Sequence, residues 1–189
     1  MLVHVRRAEL IAAANAYENE LFGSDFYTEV DAIDAWLKSP LFFWSVCTID
    51  QQMEKPQIIG SLSILITCEL SIKRLLANEI KESELEPWTL HDCREPALYF
   101  SSYAAEKPGA GRLQFAAAKN YLEEIYKKFG IKPVYSISIA ANMHGAKHLR
   151  ESGFQESTGN LYMQKYSIYE ARCEYKLRKL WSELLNCKN

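Results

Sequence analysis

Apolar positions along the chain switch repeatedly between the alternation of strands and the three-and-four spacing of helices, which predicts an α/β or α+β protein. Leu2 to Arg6 reads as a short strand. Ala8 to Phe22 reads as a helix with Leu10, Ile11, Ala14, Tyr17 and Leu21 on one face, closed by Gly23 and Ser24. Asp31 to Lys38 predicts a second short helix, which stops at Ser39 because Pro40 disfavours helical geometry in the residue before it. Phe42 to Asp50 and Gln57 to Thr67, rich in aromatic and β-branched residues, predict two strands joined by a polar hairpin loop.

From residue 69 to residue 95 acidic residues outnumber basic ones while Ile72, Leu75, Leu76 and Ile80 keep helical spacing, so this stretch reads as a helical insertion between strands. Leu98 to Ala105 follows as a strand. Gly111 to Phe129 is the most strongly periodic helix, with Leu113, Ala117, Tyr121, Ile125 and Phe129 on one face and Gly130 as its cap. Val134 to Ala140 predicts a strand and His144 to Glu151 a short helix ending at Gly153. Two last strands are expected near Phe154 to Ser157 and Leu161 to Tyr166. Ile168 to Cys187 reads as a C-terminal helix. Its stripe of Leu177, Leu180, Trp181, Leu184 and Leu185 would dock on the body or on a second subunit, so monomer and homodimer both stay open.

The 189 residues suit one domain over 1–189, long enough to bury well over half of its unfolded surface in a single core. With a net charge of -2 there is no surplus of positive charge to neutralise phosphates, and nucleic acid is not an expected partner. The longest apolar stretches, Leu41 to Val46 and Ile58 to Ile66, are far shorter than the ~20 residues of a membrane-spanning helix. Met1 to Arg7 lacks the apolar region and cleavage site of a secretory signal, so the expected compartment is the cytoplasm and no membrane partner is expected. Cys47, Cys68, Cys93, Cys173 and Cys187 contain no CxxC pair and read as reduced structural thiols rather than a disulfide framework or a thiolate metal site.

The segment with most chemical content joins the strand ending at Ala105 to the long helix: Glu106, Lys107, Pro108, Gly109, Ala110, Gly111, Arg112. Glycines let a backbone approach a ligand closely, and the unpaired amides of a helix start, with the dipole behind them, receive phosphate oxygens. Lys107, Arg112 and Lys119 can add positive charge. The same residues also suit a plain turn that stops a strand and starts a helix. The pattern is not the dinucleotide-binding GxGxxG, because only Gly109 and Gly111 are present.

Together with a segment farther along, this loop resembles the GCN5-related N-acetyltransferases. Gly109-Ala110-Gly111 is similar to the family's pyrophosphate loop, Q/R-x-x-G-x-G/A. The stretch from Asn142 through Gly145 and Leu149 to Gly153-Phe154 is similar to its N-x-x-A/S-x-x-L/V-Y/L-E-x-x-G-F signature. With the order of elements, the resemblance covers residues 1–167 and leaves 69–95 and 168–187 as additions.

The resemblance implies a mixed, mostly antiparallel central sheet flanked by helices, with acetyl-CoA bound between the strands at Leu98 to Ala105 and Val134 to Ala140. It implies that the backbone of Tyr103, Ala104 and Ala105 pairs with the pantetheine arm and polarises the thioester carbonyl as an oxyanion hole does. Amides of Gly109, Ala110, Gly111 and Arg112 would hold the pyrophosphate with charge from Lys107, while Asn142 lies near the pantetheine and Lys147 near the cofactor. The implied activity is acetyl transfer from acetyl-CoA to an amine of a small molecule or peptide. The alternative is a catalytically silent acyl-CoA sensor or an interaction module on the same fold. Glu106 stands where the family prefers Gln or Arg, the loop is short, and Leu149 stands where many members carry the tyrosine that protonates the leaving thiolate. Ser101 falls where many relatives carry a basic glutamate and is the candidate to relay a proton through water.

Two further groups bear on the chemistry. His144 and His148 are four apart, yet no carboxylate or cysteine completes a ligand set, and no metal is expected. Glu18, Glu20, Asp25, Glu29, Asp31 and Asp34 follow one another without Lys or Arg, around the loop that by the resemblance lines the acceptor site. As an acidic rim they would concentrate cationic amines, whereas as a merely solvated surface they would not.

Overall fold

Alternation along the central strands sets the layers. In β2 (Phe42–Thr48), Phe42 and Trp44 face one side and Phe43 the other. In β3 (Ile58–Cys68), Leu65 opposes Ile64 and Ile66, and in β4 (Pro96–Ala105), Tyr99 opposes Leu98 and Phe100. Both faces are apolar because helices cover both. Helices α1 (Ala8–Phe22), α2 (Val30–Leu37) and α3 (Glu69–Leu76) give Leu10, Ala14, Ile33, Trp36, Ile72 and Leu75 to the first core. Helices α4 (Ala110–Phe129) and α5 (Met143–Glu151) close the other face with Ala118, Leu122, Ile125 and Leu149.

The computed structural model describes residues 1–5, 8–22, 30–49, 57–89, 95–107, 109–133, 135–140, 143–151, 154–161 and 166–172. Strands β1 (Leu2–His4), β5 (Tyr135–Ala140), β6 (Gln155–Leu161) and β7 (Tyr166–Arg172) complete a seven-stranded sheet of order β1-β2-β3-β4-β5-β7-β6. Every neighbouring pair is antiparallel except β4 and β5, which are parallel. The mixed, mostly antiparallel sheet implied by the resemblance is therefore present. Among the described residues no helix is long and apolar enough to cross a membrane.

Three expectations change. The buried face of α4 is Ala110, Gly111, Gln114, Ala118, Leu122 and Ile125, one residue round from the expected stripe, and Leu113 is 52% exposed. The helix approaches β3 closely there: a Cβ on Gly60 would lie 3.2 Å from the Gln114 side chain. Small and slender residues therefore face the sheet and the bulkier leucine turns out. At the C-terminal end, Ile168 to Arg172 belong to β7 rather than to a helix, paired with β5 from Ala140↔Ser167 to Tyr135↔Arg172. The edge of β5 supplies ladder partners that a local helix would forgo, and tertiary pairing overrides local spacing. The stripe from Leu177 to Leu185 lies outside the described residues. The insertion is only partly helical. It contains α3, capped by the Cys68 Sγ that accepts from the Ser71 amide at 3.2 Å, and a 3-10 turn at Glu82–Glu84.

Candidate active site

Strands β4 and β5 pair only from Ala97↔Tyr135 to Phe100↔Ser138. Beyond those residues β4 continues to Ala105 and β5 to Ala140 without further pairing to each other, so the sheet splits into a wedge. The split has a local cause. On the other edge of β4 the register with β3 passes from Ser63↔Ser102 to Ile64↔Phe100, leaving Ser101 as a bulged residue. A bulge bends its strand and re-aims its side chain.

The N-terminus of α4 lies just past the end of β4. Gly109 caps it in the left-handed region, φ 97° and ψ -29°, with no side-chain cap and no acidic residue in the first turn. A Cβ at Gly109 would meet nothing within 4 Å, so the helix start is open. Gly111 is glycine for another reason: a Cβ there would lie 2.6 Å from the Tyr103 Oη. The Tyr103 ring thus packs beneath the helix start, 4.9 Å from the ring of Phe115. Cys47 Sγ approaches the Ala110 carbonyl oxygen at 3.6 Å and ties the same turn to β2.

On the opposite face of the sheet a line of hydroxyls ends on a carboxylate. Ser101 Oγ lies 2.5 Å from Ser63 Oγ, which lies 2.7 Å from Ser102 Oγ. Ser102 Oγ donates to Glu18 Oε1 at 2.7 Å. The same oxygen accepts from Ser61 Oγ and from Trp44 Nε1 at 3.2 Å, and Trp44 Nε1 also reaches Ser61 Oγ at 3.0 Å. Burial pushes the Glu18 carboxyl above the usual carboxylate range, and hydrogen bonds from Ser61, Ser102 and Trp44 pull against it. Glu82, in the 3-10 turn of the insertion, is a more deeply buried carboxyl on this side. Burial raises it to about 8 against the Tyr99 hydrogen bond, and the charge of Glu18 adds to the rise.

Most of the residues expected at the site do meet here. Ser101 is half-buried at the apex of the wedge; Tyr103 and Ala104 are half-buried and Ala105 exposed on the part of β4 that stays paired with β3 after parting from β5. Lys107, Gly109 and Arg112 are exposed, and Ala110 and Gly111 buried, around the helix start. Lys147 is exposed on α5 in a surface pair with Glu151 at 3.8 Å, and Asn142 lies outside the described residues. Glu106 is exposed, and its carboxylate lies close enough to the buried Tyr17 to help burial hold that hydroxyl above its usual range.

Glu18 corrects the reading of an acidic rim. Its carboxylate turns in to the sheet, while Glu20, Asp31 and Asp34 are exposed as expected; Asp25 and Glu29 lie outside the described residues. A signal was available, since Leu10, Ala14 and Glu18 are four apart and share the buried stripe of α1. Glu82 carries no such signal, because its burial depends on how an irregular segment folds back. Among the described residues no three His, Cys, Asp or Glu stand together as metal ligands, and the side chains of His144 and His148 lie outside them.

No family model and no curated protein matches the chain. Solved structures do. FeeM, an N-acyl amino acid synthase from uncultured soil microbes, matches with a TM-score of 0.59 and 10% identity, covering 97% of this chain and 95% of its own. Arabidopsis thaliana NAA60 in complex with a bisubstrate analogue matches with a TM-score of 0.51 and 11% identity, covering 90% of this chain and 94% of its own. The fold is that of the GCN5-related N-acetyltransferases. Arabidopsis thaliana NAA60 in complex with acetyl-CoA matches similarly, with a TM-score of 0.50, 13% identity, and 90% of this chain and 95% of that one covered. At these identities the likeness is one of GCN5-related fold; the wedge, the bulge at Ser101 and the open helix start are features of this chain's own geometry.

Proposed function

We propose that the protein is an N-acetyltransferase that moves an acetyl group from acetyl-CoA to an amine of a small molecule or peptide. The observation that carries this reading is the meeting, at one wedge, of a stretch of strand that has parted from its parallel neighbour and a glycine helix start with no side-chain cap, with a hydroxyl line leading from its apex to an inward-turned carboxylate. The residues fit the donor. The left-handed Gly109 leaves open space where a phosphate would approach, and the first turn of α4 holds no carboxylate to repel it. The likeness to an N-acyl amino acid synthase and to a protein in complex with acetyl-CoA points the same way.

In this reading the amides of Gly109, Ala110, Gly111 and Arg112 bind the pyrophosphate, with Lys107 and Arg112 supplying positive charge at the exposed rim. The edge of Tyr103 to Ala105 that faces away from β3 orients the pantetheine arm as an added strand would, and its amides polarise the thioester carbonyl. Acetyl-CoA supplies an activated acyl carbon. Ser101, the bulged residue at the apex, is the hydroxyl through which an amine would lose its proton. Exposed Glu20, Asp31 and Asp34 favour a cationic acceptor such as a polyamine or a lysine side chain.

Titration calorimetry with acetyl-CoA, followed by a thiol-release assay over a panel of cationic and neutral amines, tests this. Micromolar binding with amine-dependent thiol release is the expected result. Binding without release from any amine would replace the transferase with an acyl-CoA sensor, a reading that Leu149, packed against the core where many members carry an acidic tyrosine, favours.

A further inference from the structure

Glu18 is half-buried with its carboxylate turned to the sheet, and the geometry of its hydrogen bonds has a direction. An ionised carboxylate has no proton to give, so Ser102 must donate to Glu18. Each hydroxyl carries a single proton. With the Ser102 proton committed, Ser63 donates to Ser102, and with the Ser63 proton committed, Ser101 donates to Ser63. The oxygen of Ser101 is therefore left as an acceptor at the outer end of the line, at the apex of the wedge. Ser63 and Ser102 are buried while Ser101 and Glu18 are half-buried, so the middle of the line is closed to solvent between two more open ends.

On the transferase reading given above, we propose that Glu18 is the terminal proton acceptor of the reaction, reached from the acceptor amine through Ser101, Ser63 and Ser102. The incoming ammonium gives one proton to Ser101 Oγ as the Ser101, Ser63 and Ser102 protons each move one place inward, and Glu18 becomes a carboxylic acid. The freed nitrogen bonds to the thioester carbonyl carbon as the carbon–sulfur bond breaks. The second proton lost by nitrogen leaves with the thiolate as the CoA thiol, and Glu18 then returns its proton to solvent. The bulge at Ser101 has a part in this, because it places two consecutive serines within reach of one oxygen, Ser63 Oγ.

The groups around Glu18 suit the role. Ser61 and Trp44 hold the accepting oxygen in place from β3 and β2. Among the described residues the titratable groups that sense its charge are Tyr17 on its own helix and Glu82 on the insertion, and no Lys or Arg is paired with it. Such a carboxyl is a better base near neutral pH than one held in an ion pair.

Glu18→Gln and Ser63→Ala test the relay in the full chain with acetyl-CoA and a fixed panel of spermidine, lysine and an unblocked tripeptide. In the parent protein the rate should rise with pH and level off once Glu18 is ionised. In both variants turnover should fall about 10²-fold. Their rates should also climb on past that point, toward the amine's own pKa, because only amine already free in solution can react. Affinity for acetyl-CoA, measured calorimetrically, should be unchanged. A readout independent of turnover is the infrared band of a protonated buried carboxyl. One such band should disappear in Glu18→Gln and a different one in Glu82→Gln, and Ser63→Ala should shift the first. A parent that turns over, with variants that keep its rate and its levelling, overturns the relay and leaves the transferase reading standing. A parent that releases no thiol with any amine overturns both.

Discussion

Glu18 on α1 and Ser102 on β4 stand 84 positions apart in sequence and 2.7 Å apart in the fold. That bond, with those from Ser61 and Trp44, fixes α1 against β2, β3 and β4 at one rotation. Glu18→Ala leaves several buried donors without an acceptor, and each such group costs ~1–3 kcal/mol. Glu18→Gln keeps an acceptor oxygen. Chemical denaturation should therefore show Glu18→Ala less stable than Glu18→Gln by about 2 kcal/mol or more; equal midpoints would mean that solvent reaches the network.

The two glycines of the α4 start should respond differently. At Gly109 any side chain pays for the left-handed backbone by about 1–2 kcal/mol although space is open. Gly109→Ala and Gly109→Asp should thus lose similar stability, whereas Gly109→Asp alone should abolish acetyl-CoA binding by calorimetry, since it sets a carboxylate where phosphate is expected. Equal affinities in the two variants would mean that the loop is only a turn.

At Gly111 the obstacle is the Tyr103 hydroxyl rather than the backbone. Gly111→Ala should be destabilising in the parent and neutral or stabilising in a Tyr103→Phe background, where the nearest remaining ring atom lies 3.6 Å from the new Cβ. A double-mutant cycle read by thermal melts gives the coupling. No coupling would mean that Tyr103 simply swings away.

Glu82 predicts a pH dependence of stability. Its carboxyl titrates near 8 when folded against an ordinary value of 4.5, so between those values the native state holds more protons than the unfolded chain. The stabilising contribution is complete below pH 4.5 and is lost as pH rises toward 8. Denaturation midpoints of the parent should fall across that window by the equivalent of a few kcal/mol, and those of Glu82→Gln should fall much less. Parallel curves for the two proteins would show that Glu82 is solvated.

A buried bond from Trp36 Nε1 to the Leu85 carbonyl, 2.7 Å long, ties the insertion to α2. Trp36→Phe removes the donor and leaves that carbonyl unpaired, so it should cost about 1–3 kcal/mol beyond lost packing. Hydrogen exchange should show the greatest loss of protection in residues 77–89. Loss confined to α2 would instead assign the bond to that helix alone.

Period alone located most elements, because in helices and strands that bury a face the apolar residues must recur at that element's own spacing. Ala8 to Phe22 and the strand from residue 42 are such cases. The glycine loop was legible for the same kind of reason, since a strand end, two glycines and a long amphipathic helix are local features. Ile168 to Arg172 were not, because helical spacing in that tail competes with a ladder that exists only once β5 is in place. The rotation of α4 escaped as well. It depends on how closely the helix approaches Gly60, a distance that no residue of α4 encodes.

Neighbours along the chain already encode the alternating elements, the glycine start of α4 and a serine pair in β4. It takes the packed fold to set that serine pair on a bulge where two parallel strands part, and to turn Glu18 inward to meet it. A carboxylate turned in against a sheet is tolerated only where several donors converge on it, and here those donors come from three different strands.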